Sequence, residues 1–142
     1  MPIITVKVAP HCEVADLEAK VASLAAGAAA GILHKRPEVT AVVVERVDPS
    51  AWFAGGRSLA DQGKASFWLD IKVVDGTNTK DEKQAFLAAI FAGLGDLLGD
   101  LHPESYIYVN EVAGDAYGFG GVTQEARYVA GKLGVDPVAC VR

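Results

Sequence analysis

The residue whose position suggests the most unusual chemistry is the proline at position 2. It follows Met1 directly and precedes Ile3–Val8, a stretch rich in β-branched residues that predicts a strand. If Met1 is removed, Pro2 becomes a secondary amine fixed at the start of that strand. Apolar surroundings favour the neutral form of such an amine, whose reference pKa is roughly 7.7–8. A neutral amine can act as a general base or as a nucleophile toward carbonyls. The alternative is that Met-Pro is simply a common way for a chain to begin and that Pro2 has no catalytic role.

Four strands and two long helices are predicted to position this proline. Apolar residues at three- and four-residue spacing indicate helices, and β-branched or alternating apolar runs indicate strands. Thr79 and Glu82 have the spacing of a capping box at the start of the second helix. The predicted strands cover about 1–8, 40–47, 66–73 and 105–112, the long helices about 13–33 and 79–98, and a short helix about 123–133.

The order strand, helix, strand occurs twice, which indicates an internal repeat. Each occurrence is followed by an aromatic residue and a pair of glycines, a composition typical of a tight turn. The corresponding segments are Trp52 with Gly55–Gly56 in the first half, Tyr117 with Gly120–Gly121 in the second, and Val43–Val47 aligned with Val109–Ala113.

The repeat predicts a particular sheet. Connections of this length make the two strands of each unit parallel, with a right-handed crossover. Both helices should then cover the same face of one four-stranded mixed sheet, an α/β (α+β) architecture. The other face is predicted to be bare, and a bare apolar face on a small domain implies self-association. The aromatic candidates for this face are Trp52, Trp68, Tyr106 and Tyr108.

Length and charge limit the kinds of protein this can be. With 142 residues we expect a single domain, 1–142, made of half-repeats at about 2–62 and 64–125 and a C-terminal extension, 126–142. The net charge is -5 and no stripe of Lys and Arg appears, which argues against nucleic acid and anionic membranes as partners. No apolar run reaches the roughly 20 residues of a membrane span, and no secretory signal is recognisable.

The sequence gives no indication of a metal or a cofactor. Cys12 and Cys140 lie at opposite ends without a CxxC spacing, which favours unpaired thiols and a cytoplasmic location. His11, Cys12 and Glu13 are adjacent, and adjacent residues rarely converge on one metal ion. The glycines after the fourth strand lack the spacing of a dinucleotide-binding loop. We therefore expect no metal and no cofactor.

Pro2 at a strand start, the tandem β-α-β units and the segment Glu111–Gly121 together resemble the tautomerase superfamily. Its simplest members, the 4-oxalocrotonate tautomerases, have about half this length. The chain is similar to the fused, double-length members, which include malonate semialdehyde decarboxylase, cis-3-chloroacrylic acid dehalogenase and macrophage migration inhibitory factor. The resemblance covers about 2–121 and implies a homotrimer whose sheets line the centre. It also implies that Pro2 is the catalytic residue once methionine has been removed.

The resemblance also suggests which residues surround the substrate. Tyr117 falls where simple tautomerases place a pocket-lining phenylalanine, and Trp52 is its counterpart in the first half. The family uses one arginine just before a helix and another in the second strand of a unit, and this chain has neither. That departure argues against a dicarboxylate held by two cations.

A substrate with a carboxylate still requires a cation, and four residues are candidates. Arg57 is preferred because its turn is the repeat of the active-site hairpin. Lys72 on the third strand is a second choice, although a lysine on a strand usually pairs with a nearby carboxylate. His34 is more typical of a helix end, and Arg127 is more typical of an exposed helix surface.

Two kinds of function are consistent with these observations. The first is a tautomerase (isomerase) in which Pro2 moves a proton on a small 2-oxo or 2-hydroxy-unsaturated carboxylic acid, with decarboxylase, hydratase or dehalogenase chemistry of the same superfamily as alternatives. The second is a non-catalytic ferredoxin-like module for small-molecule binding or oligomerisation, because the β-α-β-β-α-β order also fits that fold.

Overall fold

The computed structural model describes residues 2–141. Two long helices and a four-stranded sheet account for most of the chain, and two small hairpins, each followed by a helix, connect or end the repeats. Within the described residues, no helix is long and apolar enough to cross a membrane. The elements are β1 (Ile3–Ala9), α1 (Leu17–Gly31), β2 (Ala41–Arg46), β3 (Phe53–Ala54), β4 (Arg57–Ser58), α2 (Leu59–Gln62), β5 (Ser66–Val74), α3 (Lys80–Leu98), β6 (Tyr106–Val112), β7 (Gly118–Phe119), β8 (Val122–Thr123) and α4 (Gln124–Leu133).

The four long strands form one mixed sheet with the order β2-β1-β5-β6. β1 is parallel to β2 and β5 is parallel to β6, while the central pair, β1 and β5, is antiparallel. This is the tandem β-α-β arrangement predicted from the sequence, and it confirms the predicted fold class.

Both long helices pack on the same face of this sheet, as predicted, because each presents one apolar stripe to it. Val21 and Ala25 of α1 and Phe86 and Ile90 of α3 are all buried in a single core. On the sheet side, the core takes every second residue of the two central strands. The buried strand residues are Ile4, Val6 and Val8 of β1 and Phe67, Leu69, Ile71 and Val73 of β5.

The helix starts follow local capping chemistry. At α3 the predicted capping box is present, since the Thr79 hydroxyl accepts from the Glu82 N–H and the Glu82 carboxylate accepts from the Thr79 N–H, both at 3.1 Å. The first helix begins at Leu17, four residues later than predicted from Glu13. Asp16 before it has a left-handed backbone with φ of 52°, which is incompatible with a helical residue.

The register shows that the two halves are related by an offset of 65 residues. Ile3 pairs with Ala41 in the first unit, and the residues 65 positions further on, Trp68 and Tyr106, pair in the second. The alignment of Val43–Val47 with Val109–Ala113 is therefore wrong by one residue. It had matched two glutamates that lie on opposite faces of the sheet, because a shift of one residue reverses the side-chain direction.

The face of the sheet opposite the helices is open and partly aromatic. Tyr106 and Tyr108 of β6 are about half exposed, at 50% and 48%, and their rings stack with centroids 6.3 Å apart. Trp68 of β5 lies beside them, with its ring centroid 6.5 Å from that of Tyr108. Asp70 is a buried polar residue of this face, and it accepts from the Asn110 amide and pairs with Lys72.

Candidate active site

Pro2 lies at the bottom of a cavity of about 420 Å³ at one end of the sheet. The residue is buried, and its carbonyl oxygen accepts a hydrogen bond from the Ala41 N–H at 3.2 Å. That bond continues the pairing of β1 with β2, so the proline is held by the sheet and not by a loop. The cavity walls are Pro2, Ile3, Glu38, Val39, Thr40, Ala41, Tyr117, Gly118, Phe119 and Gln124.

The opposite wall of the cavity comes from the second hairpin, β7–β8. Gly120 and Gly121 occupy its two-residue turn with φ of 60° and 78°, the backbone that a hairpin turn of type I′ requires and that glycine adopts without strain. The hairpin carries Tyr117 and Phe119 to the cavity, so the structure brings Pro2 and Tyr117 together.

The Tyr117 hydroxyl is a hydrogen-bond donor without an acceptor in the described part of the chain. Its oxygen is buried and makes no hydrogen bond there. Burial also raises the pKa of the Tyr117 phenol, so the group keeps its proton at neutral pH. A buried hydroxyl is costly to leave unpaired, which makes Tyr117 a candidate for contact with a bound ligand.

A carboxylate that no sequence pattern marks also lines this cavity. Glu38 lies in the short 3₁₀ turn Pro37–Val39 before β2, and the Arg36 Nε donates to its Oε1 at 2.7 Å. A hydrogen bond from its own backbone N–H and the one from Arg36 keep the pKa of Glu38 below its usual value. The cavity therefore has a carboxylate on one wall, and this carboxylate is already paired.

A larger cavity of about 950 Å³ adjoins the first one. The two have three lining residues in common: Val39, Phe119 and Gln124. Arg127 of α4 lines the larger cavity, where its guanidinium lies 3.7 Å from the centre of the Phe119 ring and its Nη2 donates to the Phe119 carbonyl oxygen at 2.8 Å. Arg127 is thus a cation near the Pro2 cavity and not an exposed helix residue.

The other residues selected from the sequence lie elsewhere in the single chain. The Arg57 Nη2 approaches the Asp61 carbonyl oxygen at 3.4 Å, beside the first hairpin. Lys72 pairs with Asp70 on the open face of the sheet, and Trp52 lines a separate cavity of about 590 Å³ on that face. Within the described residues, none of Arg57, Lys72 and Trp52 lines the Pro2 cavity.

The Trp52 cavity is the counterpart of the Pro2 cavity in the other half of the repeat. Its walls include Trp68 and Tyr106, which correspond to Ile3 and Ala41 by the 65-residue offset. The position equivalent to Pro2 is Phe67, a buried internal residue whose nitrogen is an amide. Of the two equivalent positions, the one that removal of Met1 would convert to an amine is therefore Pro2 of the first unit. There the two aromatic walls are replaced by smaller residues, Ile3 and Ala41.

Side chains that could hold a metal ion or act as a thiol are distributed as follows. Among the described residues, no group of three or more His, Cys, Asp or Glu side chains is arranged to hold a metal ion. Cys12 is exposed and unpaired, and the side chain of Cys140 lies outside the described part of the chain. The chemically functional groups that line the Pro2 cavity include the proline itself, the Tyr117 phenol and the Glu38 carboxylate.

Comparison with known proteins identifies the fold. No protein-family profile and no curated protein matches the chain in sequence. Native fused 4-OT matches with a TM-score of 0.71 and 22% identity, over 86% of this chain and 97% of that one. A fused 4-OT described as a symmetric trimer matches with a TM-score of 0.75 and 12% identity, over 88% of this chain and 98% of that one. FG41 malonate semialdehyde decarboxylase inhibited by 3-bromopropiolate matches with a TM-score of 0.68 and 19% identity, over 94% of this chain and 99% of that one.

These solved structures agree with the architecture described above. The matches extend over nearly the full length of each of the three structures. They also extend over 86% to 94% of this chain. The chain therefore has the fold of the tautomerase superfamily.

Proposed function

We propose that the protein is a tautomerase in which Pro2, freed by removal of Met1, transfers a proton on a 2-oxo or 2-hydroxy-unsaturated carboxylic acid. The observation that carries the proposal is the burial of Pro2 in a cavity that is also lined by Tyr117, whose buried hydroxyl has no hydrogen-bond partner among the described residues. The fold shared with fused 4-OT is consistent with it.

The proposed reaction uses Pro2 as the proton carrier. The neutral amine accepts the proton of the enol hydroxyl, and the carbonyl forms as the electron pair of the C=C bond moves to the adjacent carbon. The protonated amine then returns a proton to that carbon. Tyr117 donates a hydrogen bond to the enol oxygen, where negative charge develops, and such a donor is most useful in a dry cavity.

Three further proposed substrate contacts require a second subunit. Arg57, Trp52 and Lys72 do not line the Pro2 cavity of their own chain. They contribute to the reaction in this proposal only where a neighbouring subunit brings them to the cavity. The open sheet face provides the surface on which subunits would assemble.

The test is ketonisation of an aryl-enolpyruvate, followed by the loss of its ultraviolet absorbance, with protein shown by intact mass to begin at Pro2. We expect a rate clearly above that of buffer. Tyr117→Phe should lower kcat by roughly 10²-fold, because it removes one donor to the developing charge, and should change KM much less. Tyr106→Phe, which removes a phenol hydroxyl outside the Pro2 cavity, is the matched control. Once sedimentation shows that it assembles like the wild type, it should keep the wild-type kcat.

The outcomes of this assay separate the candidate functions. Release of carbon dioxide or halide from suitable acids, in place of ketonisation, would indicate the decarboxylase or dehalogenase alternatives. No acceleration with any of these acids would contradict the enzyme proposal and favour a binding module.

We also propose a homotrimer assembled through the open sheet face. The exposed Tyr106 and Tyr108 on that face support it, and one of the matching fused 4-OT structures is a trimer. Sedimentation equilibrium at micromolar concentration should give three times the chain mass. Tyr108→Asp should shift the protein toward monomer, while Ala88→Asp on the exposed side of α3 should not. A wild-type monomer would contradict the assembly.

A further inference from the structure

Gln124 occupies the junction of the two cavities and has an unused donor. It is 9% exposed, and it lines both the Pro2 cavity and the larger cavity. Its side-chain Nε2 is buried and has no hydrogen-bond partner among residues 2–141. Buried amide groups are nearly always hydrogen-bonded in folded proteins, so this donor is the kind of group that a ligand completes.

The internal repeat shows that the fold does not need an amide at this position. By the 65-residue offset, Gln124 corresponds to Leu59, a fully buried apolar residue. The two residues make equivalent backbone hydrogen bonds. The Leu59 N–H donates to the Trp52 carbonyl at 2.8 Å, and the Gln124 N–H donates to the Tyr117 carbonyl at 3.0 Å. The polar side chain of Gln124 is therefore an addition specific to the half that faces Pro2.

Arg127 is a second addition of the same kind. Its counterpart is Gln62, whose Nε2 donates to the Ala54 carbonyl at 2.9 Å, just as the Arg127 Nη2 donates to the Phe119 carbonyl at 2.8 Å. An amide side chain at this position is therefore sufficient to make the hydrogen bond to the hairpin carbonyl. Arginine at this position adds a positive charge, and it leaves a buried Nε–H that has no acceptor in the described part of the chain.

The charges around the two cavities disfavour a ligand with two anionic groups. Arg36 is paired with Glu38, which leaves Arg127 as the cation not bonded to a carboxylate among the described lining residues. Asp115 and Glu125 also line the larger cavity. A second anionic group would meet these carboxylates without a free cation to compensate, and such unpaired charge discriminates strongly between ligands.

We propose that Gln124 and Arg127 bind the carboxylate of the substrate at the junction of the two cavities and make the site selective for monocarboxylates. This inference rests on the proposed function for the position of the reacting carbons beside Pro2. It assigns the substrate cation to the same chain, in contrast to the sequence-based preference for Arg57.

The test uses three probes with the same six-carbon skeleton: sorbate, the neutral sorbamide, and trans,trans-muconate, in which a second carboxylate replaces the terminal methyl group. Binding to the protein that begins at Pro2 is measured by calorimetry or by chemical-shift titration. The variants are Gln124→Leu and Arg127→Gln, which introduce the residues that the first repeat already accommodates. Lys20→Gln on the exposed side of α1 controls for loss of one positive charge.

We expect sorbate to bind at least about 10-fold more tightly than sorbamide or muconate. Gln124→Leu and Arg127→Gln should each weaken sorbate binding by about 10- to 100-fold, the range for a hydrogen bond to a charged group, and should leave sorbamide binding nearly unchanged. Lys20→Gln should bind sorbate like the wild type.

Binding of muconate as tight as that of sorbate would overturn the inference, and so would unchanged sorbate affinity in both variants. Loss of sorbate binding in Arg57→Gln but not in Arg127→Gln would do the same. Since the probes do not turn over, these results are independent of Pro2 chemistry. A protein that binds sorbate through Gln124 and Arg127 but ketonises no enol would refute the proposed function alone.

Discussion

A chain that retains Met1 is expected to ketonise an aryl-enolpyruvate about 10²–10⁴-fold more slowly than a chain that begins at Pro2, the usual range for loss of a general acid–base group. With Met1 attached, the proline nitrogen is a tertiary amide without a basic lone pair. The cavity, Tyr117 and the hairpin are otherwise the same in both forms. The comparison therefore isolates the amine from every other feature of the site.

The pH dependence provides an independent check on the same group. The active form is the neutral amine, so the rate should rise with pH as the amine loses its proton. Arg36 pairs with Glu38, so we expect the apolar walls to dominate and the midpoint to lie at or below the reference value of roughly 7.7–8. Pro2→Ala keeps an amine and should retain some rate with a displaced midpoint.

The measurement requires both forms of the protein, with the first residue established by intact mass. One form is treated with a methionine aminopeptidase so that it begins at Pro2. The other form is left unprocessed, so that Met1 stays attached to Pro2. Thermal unfolding of the two forms controls for a change in stability. Equal ketonisation rates in the two forms would exclude the proline mechanism, and binding would then be the better account of the site.

The elements that depend on local patterns were predictable from the sequence. Apolar spacing located α1 and α3, the Thr79 capping box fixed the start of α3, and the paired glycines marked the two hairpins. The repeat then determined the parallel pairs and the shared helix face. The location of Tyr117 in the same cavity as Pro2 was implied by the family resemblance and not by these local patterns.

The residues that were missed depend on long-range geometry. Glu38 reaches the Pro2 cavity because a 3₁₀ turn precedes β2, and no sequence pattern marks that contact. Gln124 could have been found by a correct alignment of the repeat, since it replaces the buried Leu59. The sequence-based alignment of the two halves matched Glu45 with Glu111, which lie on opposite faces of the sheet, and was therefore wrong by one residue. The observed strand register is what identifies Leu59 as the counterpart of Gln124.

Gly118→Ala is expected to disrupt the second hairpin and to abolish most of the activity. A Cβ at Gly118 would lie 1.9 Å from the Val122 carbonyl oxygen and 2.7 Å from the Thr123 Cα. Both are backbone atoms, so the strands β7 and β8 would have to separate, because no side-chain rotation relieves such contacts. That separation would displace Tyr117, which lines the Pro2 cavity with Gly118.

We expect Gly118→Ala to reduce kcat/KM for enol ketonisation by at least about 10²-fold, since a displacement of about 1 Å can have that effect, and to destabilise the fold by about 1–3 kcal/mol. Kinetics and thermal unfolding measure the two effects separately. Gly27→Ala is the matched control, because an added Cβ there meets no atom within 4 Å and alanine favours the helix by about 0.5–1 kcal/mol. Wild-type kinetics in Gly118→Ala would mean that the hairpin does not shape the site, and the role assigned to Tyr117 would then be wrong.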